Sequence, residues 1–238
     1  MQKILNKTIE RLLYDPWVRS GRKPSRVFLY LFSKVSRSRL SRVSENHLFS
    51  RYQLFEEQTS SFSFSRNSLI WLFARLQKTK PQSILEMGTG ISSLAHAIYS
   101  IESPQPVSIT SIDHDAGWLE VTQNMLLKRD RLRNLVDFRH CKIIESNTRW
   151  GQGYELPDEL NDYYDWVLID GPPAQFGRSF TLPSIWERLS PGANIFLDDA
   201  DREGERKSTA EWLSAYPDLK LKAVLPLNKG LAWFRKCK

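Results

Sequence analysis

Short apolar runs alternate with helical stretches from residue 82 onward, and this alternation constrains the fold more than any other feature of the sequence. Five runs read as strands: 83–87, 107–113, 136–141, 165–170 and 193–198. Helical patterns follow four of them: 91–101, 116–129, 180–189 and 203–215. A polar, glycine-containing loop through Trp150 and Gly153 is expected after the third strand. Strands that alternate with helices at this spacing form βαβ units, so the sequence predicts a parallel, doubly wound α/β sheet.

The end of the chain departs from this rhythm. The runs 219–227 and 231–236 are both β-like, and only three residues separate them. Parallel neighbours need a crossover of about a dozen residues, so we expect an antiparallel pair here. The predicted fold is therefore a Rossmann-like, mostly parallel seven-stranded sheet with a C-terminal antiparallel hairpin.

The N-terminal segment carries the positive charge of the chain. Residues 1–51 hold twelve lysines and arginines against three acidic residues, and the whole chain has a net charge of +7. We interpret 1–65 as a basic helical appendage and 66–238 as one domain that begins with a helix. The appendage is predicted either to bind an anionic membrane surface or an acidic partner, or to pack its aromatic residues on the domain.

The composition indicates a soluble protein of a reducing compartment. Two cysteines, Cys141 and Cys237, are too few for a disulfide framework. The longest early apolar run is too short to span a bilayer, and the N-terminus lacks the pattern of a secretory signal. We therefore expect a cytoplasmic protein that contacts a membrane at most peripherally.

A glycine-containing turn follows the first predicted strand, with the sequence Glu86-Met87-Gly88-Thr89-Gly90. Glycines let a ligand approach the backbone, and N–H groups at a helix start bind its polar atoms. Asp113 ends the second predicted strand, where a carboxylate can accept both hydroxyls of a ribose. These residues predict an adenosine-type pocket, with His114 beside the adenine. Ser93 stands where a dinucleotide fingerprint has glycine or alanine, which disfavours that class.

Three aspartates form a second candidate site at the ends of the fourth and fifth predicted strands: Asp170, Asp198 and Asp199. Their oxygens suit Mg²⁺ or a similar divalent cation, which would lower the pKa of a substrate hydroxyl. Alternatively, one aspartate acts directly as a general base. A purely structural alternative is that Asp198 and Asp199 cap the next helix. Arg178 and Arg202 are candidates for pairing with an anionic acceptor or for surface salt bridges.

The order of four motifs resembles the class I S-adenosylmethionine-dependent methyltransferases, particularly the catechol and caffeoyl-CoA O-methyltransferase-like group. The motifs are EMGTG, SID, YDWVLIDGPP and LSPGANIFLDDADRE, followed by the hairpin. The resemblance implies S-adenosylmethionine as cofactor, with Glu86, Gly88 and Gly90 at its methionine end and Asp113 on its ribose. It also implies a divalent metal on the aspartates. The lysine that this group has three positions after the first aspartate is Pro173 here.

The predicted activity is transfer of a methyl group from S-adenosylmethionine to a hydroxyl of a small molecule or carbohydrate. Asp170 and Asp198 are its predicted catalytic residues, as metal ligands or as general base. One alternative is a nucleic-acid methyltransferase that uses the basic segment for phosphate contacts, although the chain lacks an Asn/Asp-Pro-Pro-Tyr/Phe-like motif. Another is a catalytically silent binding module. Homo-oligomerisation is left open.

Overall fold

The computed structural model describes Leu48, residues 64–161 and residues 163–238. The predicted appendage therefore lies almost wholly outside the described residues, together with the membrane, acidic-partner and nucleic-acid hypotheses that depend on it. Leu48 itself is buried in the core. Within the described ranges, no helix is both long enough and apolar enough to cross a membrane.

The described residues form nine strands and five α-helices. The strands are β1 (Ser83–Met87), β2 (Ser108–Asp113), β3 (Asp137–His140), β4 (Ile143–Glu145), β5 (Gln152–Tyr154), β6 (Tyr164–Ile169), β7 (Leu189–Asp198), β8 (Leu219–Leu225) and β9 (Leu231–Lys236). The helices are α1 (Arg66–Thr79), α2 (Ile91–Glu102), α3 (Ala116–Leu127), α4 (Thr181–Ile185) and α5 (Glu203–Ala215). Short 3₁₀ turns follow α3 and α4.

Seven strands form one sheet in the order β3-β2-β1-β6-β7-β9-β8. All neighbours are parallel except β9, which runs antiparallel to β7 and to β8. This arrangement confirms the predicted fold class, including the C-terminal antiparallel pair. The direction of chain progression reverses between β1 and β6, because β2 and β3 lie on one side and β7 on the other. Ligands of open α/β sheets bind beyond the carboxyl ends of strands at such a reversal.

The loop predicted through Trp150 and Gly153 was wrong in part: Trp150 lies in the connection between two short strands, whereas Gly153 lies on β5. Residues 143–154 instead form a small antiparallel sheet in which Ile143 pairs with Tyr154. Each strand has only three residues, which is too short for an alternating apolar pattern to be recognised in the sequence. This hairpin precedes β6 in the position where the other crossovers carry a helix. It places Tyr154 near the carboxyl ends of the central strands.

Two apolar layers cover the sheet. Trp166 and Leu168 of β6 face the first layer, with α1, α2 and α3, whereas Val167 and Ile169 face the second layer, with α4 and α5. Successive side chains of a strand point to opposite faces, which explains why β6 is apolar from Trp166 to Ile169. Full burial of each such side chain contributes about 1.5–3 kcal/mol. The layers thus hold the ends of β1, β6 and β7 in fixed positions.

Candidate active site

A cavity of about 560 Å³ opens at the carboxyl ends of the central strands. It collects most of the residues singled out in the sequence: Gly88, Thr89, Gly90, Asp113, His114, Asp170, Asp198 and Asp199. The side chains of Glu86 and Met87 are completely buried and do not line this cavity. The two candidate sites are therefore the two ends of one cleft.

The two glycines of the first turn have different roles. Gly88 has φ +101°, and a Cβ at this position would lie 2.7 Å from the backbone nitrogen of Gly171. Only glycine fits this close approach between the turns that follow β1 and β6. A Cβ on Gly90 would meet nothing within 4 Å, and Gly90 lines the cavity. Gly88 thus holds the turns together, while Gly90 leaves room for a ligand.

Asp113 is nearly completely buried at the end of β2, and local hydrogen bonds fix its carboxylate. Thr89 donates its backbone N–H to Oδ2 over 2.8 Å, and Asp115 donates its backbone N–H to Oδ1 over 3.0 Å. The Nδ1 atom of His114 lies 3.1 Å from Oδ1. The Asp115 carboxylate caps α3, because its Oδ1 accepts from the backbone N–H of Trp118. Asp113 therefore lies on the cavity wall as a pre-oriented acceptor.

Glu86 lies behind the glycine turn among buried polar side chains. The hydroxyls of Ser93 and Ser111 both donate to its Oε2, the latter over 2.6 Å. Loss of hydration would raise the pKa of Glu86, but the contact with His96, whose Nδ1 lies 3.5 Å from Oε1, brings that pKa below its ordinary value. Ser93 also accepts from the backbone N–H of Gly90 over 3.2 Å. Glu86 can therefore influence a ligand through the turn that it supports.

The opposite end of the cleft is acidic. One carboxylate oxygen from each of Asp170, Asp198 and Asp199 lies within 4.8 Å of the others. Burial, together with the negative charge of Asp199, raises the pKa of Asp198 to about 7. Burial and the charge of Asp198 raise the pKa of Asp170 well above its ordinary value. Neither Asp198 nor Asp199 caps α5, since Arg202 occupies the N-cap position.

Arg178 is buried beneath the aspartates, so it is neither a surface salt bridge nor a free anchor for an acceptor. Its Nε donates to the carbonyl of Pro172 and its Nη1 to the carbonyl of Asp198, both over 3.0 Å, and its Nη2 donates to the carbonyl of Asp170. The guanidinium joins the turns after β6 and β7. Arg202 is one-third exposed at the mouth of the cleft.

The charge around the aspartates bears on whether they suit a metal ion. Their oxygens are of the type that Mg²⁺ prefers. However, Arg178 Nη2 lies 3.4 Å from Asp170 Oδ1 and 3.8 Å from Asp199 Oδ2. Asp199 also pairs with Arg202 at 2.9 Å and with Lys229 at 3.9 Å. Protein cations thus already lie beside Asp170 and Asp199, which disfavours a divalent ion, and the metal site stays a prediction.

Comparison with known proteins identifies the domain. Residues 85–200 match the model of a family described as a methyltransferase domain. Residues 85–200 are a methyltransferase domain. The match and the order of the strands confirm the resemblance to class I methyltransferases drawn from the sequence motifs. No protein with a curated description matched the sequence.

Solved structures share the fold of this methyltransferase at low sequence identity. A methyltransferase from Geobacter sulfurreducens has a TM-score of 0.59 at 17% identity, over 91% of this chain and 98% of its own. An O-methyltransferase from Bacillus cereus, solved with SAH, has a TM-score of 0.58 at 14% identity, over 99% and 100%. The O-methyltransferase TomG from Streptomyces achromogenes, involved in tomaymycin synthesis and solved with SAM, has a TM-score of 0.54 at 13% identity, over 85% and 91%.

Tyr154 and Lys229 are among the residues that line the cavity but were not predicted from the sequence. Tyr154 was hidden because its strand is only three residues long. Lys229 belongs to the turn between β8 and β9, and no pattern in the sequence relates that turn to β7. Its proximity to Asp199 follows from the insertion of β9 beside β7, so only the three-dimensional pairing could reveal it.

Proposed function

We propose that this methyltransferase transfers a methyl group from S-adenosylmethionine to a hydroxyl oxygen of a small molecule or carbohydrate. One observation carries the proposal: a single cavity connects the carboxylate of Asp113, suited to a ribose, with that of Asp198, suited to accept a proton. An active site for this reaction needs both groups, because the cofactor must be anchored with its methyl group in contact with the acceptor oxygen, which loses its proton.

The turn after β1 and the end of β2 would hold the cofactor. Asp113 would accept hydrogen bonds from the ribose hydroxyls, and His114 would lie beside the adenine. The backbone of residues 88–90 would border the methionine part, because Gly90 leaves open space there. When bound, S-adenosylmethionine supplies an activated methyl group that needs no further activation by the protein.

Asp198 would act as the general base. Its pKa of about 7 allows it to accept a proton near neutral pH, which is the property that efficient general bases require. As the acceptor oxygen gains the methyl group, its proton passes to a carboxylate oxygen of Asp198. Arg178 would position this residue, since its guanidinium binds the backbone carbonyl of Asp198. No metal ion takes part in this scheme.

The first test is calorimetric titration of the full chain with S-adenosylhomocysteine. We expect one site per chain, and absence of binding would contradict the proposed function and favour a catalytically silent module. A second test screens small hydroxyl compounds and sugars as acceptors by transfer of a labelled methyl group. Asp198→Asn should abolish transfer to any acceptor found while leaving affinity for S-adenosylhomocysteine within about twofold, because Asp198 lies at the other end of the cleft.

A further inference from the structure

The hydroxyl of Tyr154 is a buried polar group on the wall of the cavity. The side chain is 2% exposed, and its oxygen has no hydrogen-bond partner among the described residues. A buried hydroxyl that is left unpaired is costly, so most such groups in native proteins have a partner. Because Tyr154 lines the cavity, a ligand that enters the cavity can supply the missing partner.

The phenol oxygen lies where the turns after β1 and β6 meet. A Cβ on Gly171 would lie 2.2 Å from this oxygen and 3.0 Å from the Cα of Gly88. Because residue 171 is glycine, the phenol oxygen can pack directly against the turns that border the proposed cofactor site. The group lies between the two ends of the cleft, since both Asp113 and Asp170 act on it electrostatically.

Tyr154 can only serve as a hydrogen-bond donor or neutral acceptor in this position. Burial raises its pKa well above the ordinary value of a phenol, and the negative charge of Asp113 raises it further. The phenol consequently keeps its proton at neutral pH. An oxygen acceptor on a bound ligand would satisfy it.

We propose that the Tyr154 hydroxyl is a cofactor-binding group that donates a hydrogen bond to an oxygen of S-adenosylmethionine, either in the ribose or in the carboxylate. The inference rests on the proposed function and adds a residue to it. The hydroxyl lies unpaired in the free protein and becomes paired when the cofactor binds. Tyr154 thus stabilises the cofactor-bound protein and destabilises the ligand-free protein.

The test compares Tyr154→Phe with the wild type in two measurements, affinity for S-adenosylhomocysteine and resistance to urea in the absence of ligand. Loss of one hydrogen bond in a buried site should weaken binding about tenfold. The same change should leave the ligand-free variant at least as stable as the wild type, because it removes an unpaired buried hydroxyl. Tyr163→Phe is the matched control, since Tyr163 is 65% exposed and should change neither measurement.

The outcomes separate the inference from the proposed function. If the wild type does not bind S-adenosylhomocysteine, the proposed function fails. If the wild type binds and Tyr154→Phe binds equally well, only the inference fails. Loss of both affinity and stability would also overturn it, because the hydroxyl would then have its partner within the protein. Titration with 5′-methylthioadenosine identifies the oxygen: a similar loss assigns it to the ribose, and an unchanged affinity assigns it to the carboxylate.

Discussion

The Nδ1 atom of His96 lies 3.5 Å from Oε1 of Glu86, and both side chains are completely buried. Trp166 directs its indole N–H at Nε2 of His96 over 3.3 Å, which leaves Nδ1 to direct a proton at the carboxylate. Glu86 in turn accepts from Ser93, which holds the N–H of Gly90. The glycine turn is therefore supported from the apolar core of the sheet.

Replacing His96 should lower the stability of the protein, because the buried carboxylate of Glu86 would lose a contact. We expect His96→Phe to lower the free energy of unfolding by about 3 kcal/mol at pH 7, because Glu86 would lose its partner while remaining buried. His96→Gln, which retains an N–H donor, should lose less. Urea denaturation of both variants measures the difference, and equal losses would show that the pairing with Glu86 does not matter.

Gly88→Ala tests the close approach between the turns. Its Cβ would lie 2.7 Å from the Gly171 nitrogen, so the turns must separate, and we expect a loss of about 3 kcal/mol together with loss of binding to S-adenosylhomocysteine. Gly151→Ala is the control, because Gly151 also has positive φ, +74°, but faces open space. It should lose only about 1 kcal/mol. Similar losses in the two variants would assign the effect to φ alone.

Asp113→Asn tests the proposed ribose contact. The amide keeps the shape of the side chain but halves its accepting capacity, so affinity for S-adenosylhomocysteine should fall at least about tenfold. Asp137→Asn is a suitable control, since Asp137 is half-exposed on β3 and does not line the cavity. Calorimetric titration of the wild type and of both variants with S-adenosylhomocysteine measures these affinities. An unchanged affinity in Asp113→Asn would place the nucleoside elsewhere.

Most of the fold could be predicted because its strands are long and apolar. The predicted bounds of β1 and α5 agree with the structure to the residue. The hairpin of β4 and β5 could not be recognised, because three-residue strands carry no periodic signal. Arg178 shows a different limit. Nothing in the local sequence distinguishes an arginine that packs beneath two strand ends from one in solvent, since its hydrogen-bond partners are backbone carbonyls, which every residue has.

Asp198 should give stability a characteristic dependence on pH. In the folded protein its pKa is about 7, whereas an unfolded aspartate titrates near 4. Between these values the unfolded chain binds fewer protons, so this residue reduces stability as the pH rises, by at most on the order of 4 kcal/mol, and the effect is constant above pH 7. Asp198→Asn should therefore gain stability relative to the wild type between pH 5 and 7.

Urea denaturation across this range measures the gain. Asp158→Asn provides the reference, because Asp158 is exposed and lies outside the cavity. A constant difference between Asp198→Asn and the wild type from pH 5 to 8 would mean that Asp198 titrates normally.

Binding of Mn²⁺ tests the charge balance of the aspartates. Because Arg178, Arg202 and Lys229 already pair with Asp170 and Asp199, we expect the protein to retain no Mn²⁺ at millimolar concentration in electron paramagnetic resonance titrations. Its thermal midpoint should be the same with Mg²⁺ and with a chelator. Stoichiometric Mn²⁺ that is lost in Asp199→Asn would instead establish a metal site and refute the metal-free scheme.

The pairing of β9 with β7 determines the order in which the parts of the site can assemble. Asp198 pairs with Leu231, so the backbone of the proposed base is fixed on one side by a strand made more than thirty residues later. On a ribosome, β7 would emerge with an open edge, and β8 could not fill it in the native order. The nucleoside half of the cleft could thus form during translation, but the proton-accepting half must wait for the last strand.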